Sequence, residues 1–182
     1  MAYASSCFFD ALKKQVELID VENFILMYEK ERILLGSGNV VFSAVSKLNL
    51  RKLLVNVNEF YSESKEYKPN LYKLAYILAT TRHETYHFTT GEHFSDKPEI
   101  GTFDYFNQYD PVLAVELHHR NRAMSNGSTQ CGDGFKYRDR GCSHLTSKNN
   151  YQKTKDKFLI DFVTMPDLAC DLNMLSLLCF RA

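Results

Sequence analysis

The 182-residue sequence predicts a mainly α-helical protein with no more than a small β-hairpin or short sheet. Three observations carry that prediction. Apolar residues recur at three- and four-residue spacing, most regularly at Leu74, Ile77, Leu78 and Thr81. Cap and stop signals punctuate these stretches, notably GSGN at 36–39 and Pro69-Asn70. Period-two alternation shows in one short stretch, 135–146, and even there it is mixed with basic residues and a glycine.

Residues 5–35 read as helix with an interruption near Asp20, because Phe8, Phe9, Leu12, Val16, Ile19, Phe24, Ile25 and Tyr28 form a helical stripe. GSGN then breaks the chain. The next helix is capped by Ser43 or Ser46 and runs through Leu48, Leu53, Leu54, Val57 and Phe60. After Pro69, Asn70 caps a central helix, LAYILATTRHE, whose alanines keep it slim enough to cross a core. EHFSDKPEIGTFDYFNQYDP reads as a long surface-lying loop. Sugar rings stack on aromatic faces such as those of Phe103, Tyr105 and Phe106, and Tyr105 is an expected substrate contact. A helix from Pro111 to Met124 is expected, capped by Asp110. A turn-rich stretch at 125–134, a hairpin or strand at 135–146, a polar helix at 147–157 and a closing apolar helix from Leu168 to Phe180 complete the prediction. The expected division is an N-terminal helical extension, residues 1–40, and one domain over residues 41–182.

Composition narrows the function. A chain of this length buries roughly 70% of its unfolded surface and needs no staples. Twenty-two basic residues balance 22 acidic ones, so nothing global points to nucleic acid or an anionic membrane. Five cysteines, an odd number with no CxxC pair, argue against a disulfide framework or a structural zinc site. The N-terminus lacks the basic start and apolar run of a secretory signal, and no segment approaches the ~18 apolar residues of a membrane span. The expected product is soluble and cytoplasmic in the cell that makes it, with no stable membrane association.

Chemistry concentrates where the central helix ends, at His83, Glu84 and His87, followed by Glu92 and His93. A charged group leaving an apolar helix costs free energy unless it is paired or used. Two readings compete. HETYH matches H-E-x-x-H, which places two imidazoles one turn apart for zinc with Glu84 as general base. The metzincin continuation is incomplete, with Thr90 at its glycine position although His93 falls at its third histidine. Alternatively, Glu84 semi-buried at a helix end has the raised pKa of a glycosidase proton donor, with Glu92 or Glu99 as the second carboxylate.

Five segments then occur in order: LAYILATTRHET, YFNQYDP, GDGFKYRDRG, HLTSKNNY and MPDLA. Together they resemble the family 19 glycoside hydrolases, and among them the phage endolysin branch of that chitinase-like, lysozyme-superfamily group. The resemblance covers residues 45–170. It implies a lysozyme-like helical domain with a small sheet, no metal and no cofactor. It implies cleavage of β-1,4 bonds between N-acetylated amino sugars of bacterial peptidoglycan, with chitin the alternative substrate. Carried over by position, Glu84 is the general acid, His83 its supporting neighbour and Glu92 the second carboxylate, with Glu99 in reserve. Inversion follows if the two carboxyls stand about 6.5–9.5 Å apart. Tyr137, Arg138, Arg140, His144, Thr146, Asn150 and Tyr151 match positions that line the cleft. The expected partner is cell-wall glycan, and the expected state a monomer.

The chain departs from the family pattern at Asp139 in place of a glycine, at Cys142 in place of an aromatic, at His144 in place of a glutamine, and in the short stretch after MPDLA. These departures define a third alternative, a non-catalytic glycan-binding relative.

Overall fold

In a computed structural model the described residues are 19–32, 42–63, 70–87, 90–171 and 174. The fold is mainly helical. In place of a sheet, the described residues hold two isolated antiparallel bridges, His87–Glu92 and Arg140–Leu145. None of their helices is long and apolar enough to cross a membrane. The chain divides into two compact units between Phe94 and Ser95, whereas the sequence places the boundary near residue 40. The helical stripe expected before residue 19, the GSGN break at 36–39 and most of the closing apolar helix lie outside the described residues.

The N-terminal unit is built on three helices, α1 Val21–Arg32, α2 Ala44–Glu63 and α3 Leu71–Glu84. α2 is the core element: Leu50, Leu53, Leu54 and Val57 are completely buried, and their spacing is the stripe seen in the sequence. Ser43 caps it, its Oγ accepting from Ser46 N at 3.1 Å. α1 packs along α2. Arg51 forks onto Glu22 at 2.7 and 2.8 Å, Lys47 meets Glu29, and Asn58 pairs with both backbone groups of Ile19. α3 begins as expected, Asn70 Oδ1 accepting from Lys73 N at 2.9 Å. It is not a core-crossing helix, however. Leu74, Ile77 and Thr81 are buried, while Tyr72, Tyr76, Ala75 and Ala79 are exposed. The alanines leave one face open rather than letting neighbours close over it.

The C-terminal unit is assembled from short pieces: α4 Phe103–Phe106, a 3-10 turn Asn107–Tyr109, α5 Leu117–Ser125, α6 Asp133–Lys136, α7 Lys148–Phe158 and a 3-10 turn Pro166–Cys170. The expected aromatic loop therefore contains a helical turn, capped by Thr102 Oγ1 on Tyr105 N, which buries Phe106 and leaves Phe103 and Tyr105 half exposed. The helix expected from Pro111 starts only at Leu117. Asp110 is the reason. Its Oδ1 accepts from Val112 N and Leu113 N, closing a turn before any helix can begin. Its Oδ2 accepts from Gly132 N at 2.7 Å and Gly134 N at 3.3 Å. One buried carboxylate thus ties YDP to GDG. The 135–146 stretch forms no strand; it turns through α6 and closes a single bridge, Arg140 N to Leu145 O and back.

Two glycines are dictated by close approach. A Cβ on Gly134 would stand 2.6 Å from Phe106 O. Gly141 has φ +66°, and a Cβ there would overlap Ala169 O, so PDLA seats directly on the RG turn. Beneath these turns Tyr137, Tyr151, Phe162 and Ala169 form the core, with Leu145, Phe158 and Val163 packed around them.

Candidate functional site

The N-terminal unit carries Glu84, His83 and Glu92. α3 ends at Glu84, and Thr85 follows as its C-cap, its N–H bonded to Thr81 O. The chain then folds back: Gly91 N bonds His87 O at 2.7 Å and His87 N bonds Glu92 O at 2.9 Å. Glu92 is thereby returned to the turn that follows the helix. It is half-buried, whereas His83 and Glu84 are exposed. The semi-burial expected of Glu84 is not met, because the helix presents its last turn outward. The zinc spelling loses its geometric premise. His87 lies past the end of the helix, so it does not share a helical face with His83, and its Nδ1 faces Thr90 N and Oγ1 at 3.2 and 3.0 Å. Among the described residues no cluster of three or more His, Cys, Asp or Glu is arranged to hold a metal ion. His93 is buried and stacked on Tyr86 at 4.9 Å. Burial, aided by the charges of Arg82 and Arg32, holds its pKa down at about 4.

The C-terminal unit encloses a cleft of about 420 Å³. Gln108 and Tyr109 contribute from YFNQYDP. Asp133, Gly134, Tyr137, Arg138 and Asp139 contribute from GDGFKYRDRG. Thr146, Ser147 and Asn150 contribute from HLTSKNNY. Three motifs separated in sequence therefore line one cavity. α5 adds His119 and Arg122, one turn apart, and Glu99 closes the site.

Local bonding explains the convergence. Asp133 Oδ2 accepts from Thr129 N, Gln130 N and Lys148 Nζ at 2.8–3.0 Å, and Asn149 fastens the start of α7 to the end of α5 through Asn126 O and Ser125 O. Burial alone pushes Asp133 up, but these backbone and lysine donors outweigh it and hold the carboxyl below its ordinary range.

Glu99 and Asp139 are the cleft's distinctive pair. Glu99 N donates to Asp139 O at 2.8 Å, which fixes the two residues side by side. Burial and then the Asp139 charge push the Glu99 carboxyl above its ordinary range, against the pull of Tyr105, His144 and Arg138. Tyr105 Oη donates to Glu99 Oε1 at 3.4 Å. A hydrogen bond with Tyr109, then burial, then the Glu99 charge push the Tyr105 hydroxyl up to about 12. For Asp139, burial raises and hydrogen bonds with His144 and Thr146 lower; the bonds prevail and the carboxyl lies below its ordinary range. His144 Nδ1 stands 3.5 Å from Asp139 Oδ2. The two neighbouring carboxyls are thus driven in opposite directions by their environments, Glu99 up and Asp139 down.

Of the residues expected to contact substrate, Tyr137, Arg138, Thr146 and Asn150 line the cleft, and Tyr105 reaches it through Glu99. Arg140 and Tyr151 do not line it. Arg140 is a buried strut bonded to Asp167, Lys136 O, Arg138 O and Tyr151 Oη. Tyr151 is wholly buried and donates to Arg138 O. His144 acts on Asp139 rather than on the cavity. Asp139, which stands in place of a glycine, has no positive φ and forms part of the wall. From the sequence, His119 stands with Glu116 and His118 as a further ligand candidate for the zinc alternative and Arg122 has no role; in the fold both line the cleft, and their three-residue spacing on a polar helix is the signal for that.

No family model, no curated protein and no solved structure matches the chain.

Proposed function

We propose that the protein is a lysozyme-like glycoside hydrolase that cleaves the β-1,4 glycan of bacterial peptidoglycan. The observation that carries this reading is the convergence of YFNQYDP, GDGFKYRDRG and HLTSKNNY on one polar cleft with tyrosine, amide, hydroxyl and carboxyl groups in its wall. A sugar polymer is held by many neutral hydrogen-bonding groups and a few flat apolar faces, and the wall has both. Chitin shares this chemistry and is the alternative substrate.

In the proposed reaction Glu84 gives its proton to the leaving glycosidic oxygen and Glu92 takes a proton from the attacking water. Glu84 is exposed in the free protein. Glu99, which lines the cleft, is the alternative second carboxyl.

The test is clearing of purified cell walls with release of reducing ends. Wild type is expected to clear them, and Glu84→Gln to lose at least a hundredfold in rate. Parallel Glu92→Gln and Glu99→Gln variants identify the second carboxyl. Retention on cell walls without reducing-end release by wild type would replace the hydrolase with the non-catalytic glycan-binding reading. Full activity in Glu84→Gln would remove Glu84 from the mechanism.

A further inference from the structure

The proposed glycan chemistry does not use the open face of α3. Ala75, Leu78, Ala79 and Arg82 follow one another at three- and four-residue spacing and form a single stripe. On α1, Phe24, Tyr28 and Arg32 form a second stripe at spacing four. These two stripes border one groove of about 340 Å³ in the N-terminal unit, floored by Leu50 of α2 and closed by Phe94. Its walls are apolar except at one end. There Arg32, the last residue of α1, and Arg82, in the last turn of α3, stand with Glu31. Alanine at 75 and 79 creates the space; a longer side chain at either position would fill it.

Two of the three charged side chains at that end are guanidiniums. Arg32 and Arg82 lie on different helices, yet both line this one groove. Arg82 makes no ion pair with a carboxylate among the described residues. An apolar trough ending in two arginines matches a ligand with a straight hydrocarbon tail and an anionic head. At about 30 Å³ per water-sized group, the volume takes a chain of roughly ten carbons.

We infer that this groove is a binding site for a single-chain fatty carboxylate, its tail between α1 and α3 and its head on Arg82 and Arg32. The tail supplies the affinity by leaving water. The carboxylate supplies selectivity through charge-assisted hydrogen bonds to guanidinium. This site is independent of the glycan reading and stands or falls without it.

Isothermal titration of the full chain with decanoate, below its micelle concentration, tests the inference. One saturable site is expected. Decyltrimethylammonium, with the same tail and the opposite head, is expected to bind at least tenfold more weakly. Arg82→Gln should weaken decanoate at least tenfold. Ala79→Leu should abolish binding by filling the trough; Ala75→Leu is the second filling variant, used if the first fails to show a wild-type circular dichroism spectrum.

A second readout does not depend on heat. Burial and then the charges of Arg82 and Arg32 hold His93, stacked on Tyr86, at about 4, so a carboxylate bound to those arginines should raise its NMR titration midpoint toward the ordinary value. No saturable binding by wild type overturns the inference. So does binding of the cationic amphiphile as tightly as decanoate, or unchanged decanoate affinity in a folded filling variant.

Discussion

Replacing Arg140 by lysine separates two roles that the same position can have. By motif it belongs among the cleft residues. In the fold it is 3% exposed and braces the C-terminal unit from inside. Its Nη1 donates to Lys136 O at 2.7 Å, Tyr151 Oη at 3.1 Å and Arg138 O at 3.2 Å, while Nε meets Asp167 at 2.7 Å. The Asp167 side chain is 81% exposed, so that pair is screened and worth at most about 1 kcal/mol. The three neutral acceptors matter more. Each loses a charge-assisted bond worth roughly 1.5–3 kcal/mol, part of which the buried guanidinium spends on its own desolvation. A lysine reaches one acceptor and leaves the others dry. The expected loss is about 3 kcal/mol, the low end for breaking a buried charged network. It should appear in urea unfolding monitored by tyrosine fluorescence, and as a melting point lower by roughly 6–12 °C for a chain of this length. At temperatures where Arg140→Lys remains folded, its retention on purified cell walls should match wild type. An Arg140→Lys protein with unchanged unfolding but lost glycan retention would refute the argument and return Arg140 to the cleft.

Three other outcomes follow from the same geometry. The Glu99 carboxyl is raised above 4.5 in the fold, so its contribution is full below that pH and is lost as pH rises through the folded value. Glu99→Gln should therefore unfold at higher urea than wild type at neutral pH and alike at acid pH; identical midpoints throughout would remove the burial argument. His93 runs in the opposite sense. Its folded value of about 4 lies below 6.5, so the unfolded chain binds more protons between those limits and stability falls as pH is lowered through that window. At about 1.4 kcal/mol per pH unit this amounts to up to roughly 3 kcal/mol, and a pH series of thermal melts should show the slope in wild type and a flatter one in His93→Gln. Gly141→Ala meets both a positive φ and Ala169 O. It should cost at least about 2 kcal/mol, beyond the left-handed backbone term of roughly 1–2 kcal/mol, and a wild-type urea midpoint would show that the 166–170 turn yields freely.

The helices of the N-terminal unit were legible because their signals are local. The Leu50–Leu53–Leu54–Val57 stripe and the Asn70 cap act within a few residues, and sequence spacing reports them directly. The C-terminal unit was legible only as motifs. Its architecture depends on bonds between residues far apart in sequence, such as Asp110 to Gly132 and Gly134 N–H groups more than twenty residues away, and no periodicity encodes them. The same cause explains why Pro111–Glu116 reads as helix and folds as turns: the Asp110 side chain takes over the N–H groups of Val112 and Leu113.

The cleft shows the distinction most clearly at its two departures from the motif. Read singly, Asp139 in place of glycine looks like an obstruction and His144 in place of glutamine a change of shape. In the fold the Arg140–Leu145 bridge closes a tight turn that brings the two side chains within 3.5 Å. His144 itself takes a positive φ of 45°, a conformation that costs free energy in a residue with a Cβ. The bonds from His144 and Thr146 hold Asp139 below its ordinary range against its burial, and burial, joined by the Asp139 charge, keeps Glu99 above its own. The departures are therefore one contact rather than two defects. An aspartate at 139 without a histidine at 144 would leave a half-buried carboxylate with fewer donors beside a second carboxyl.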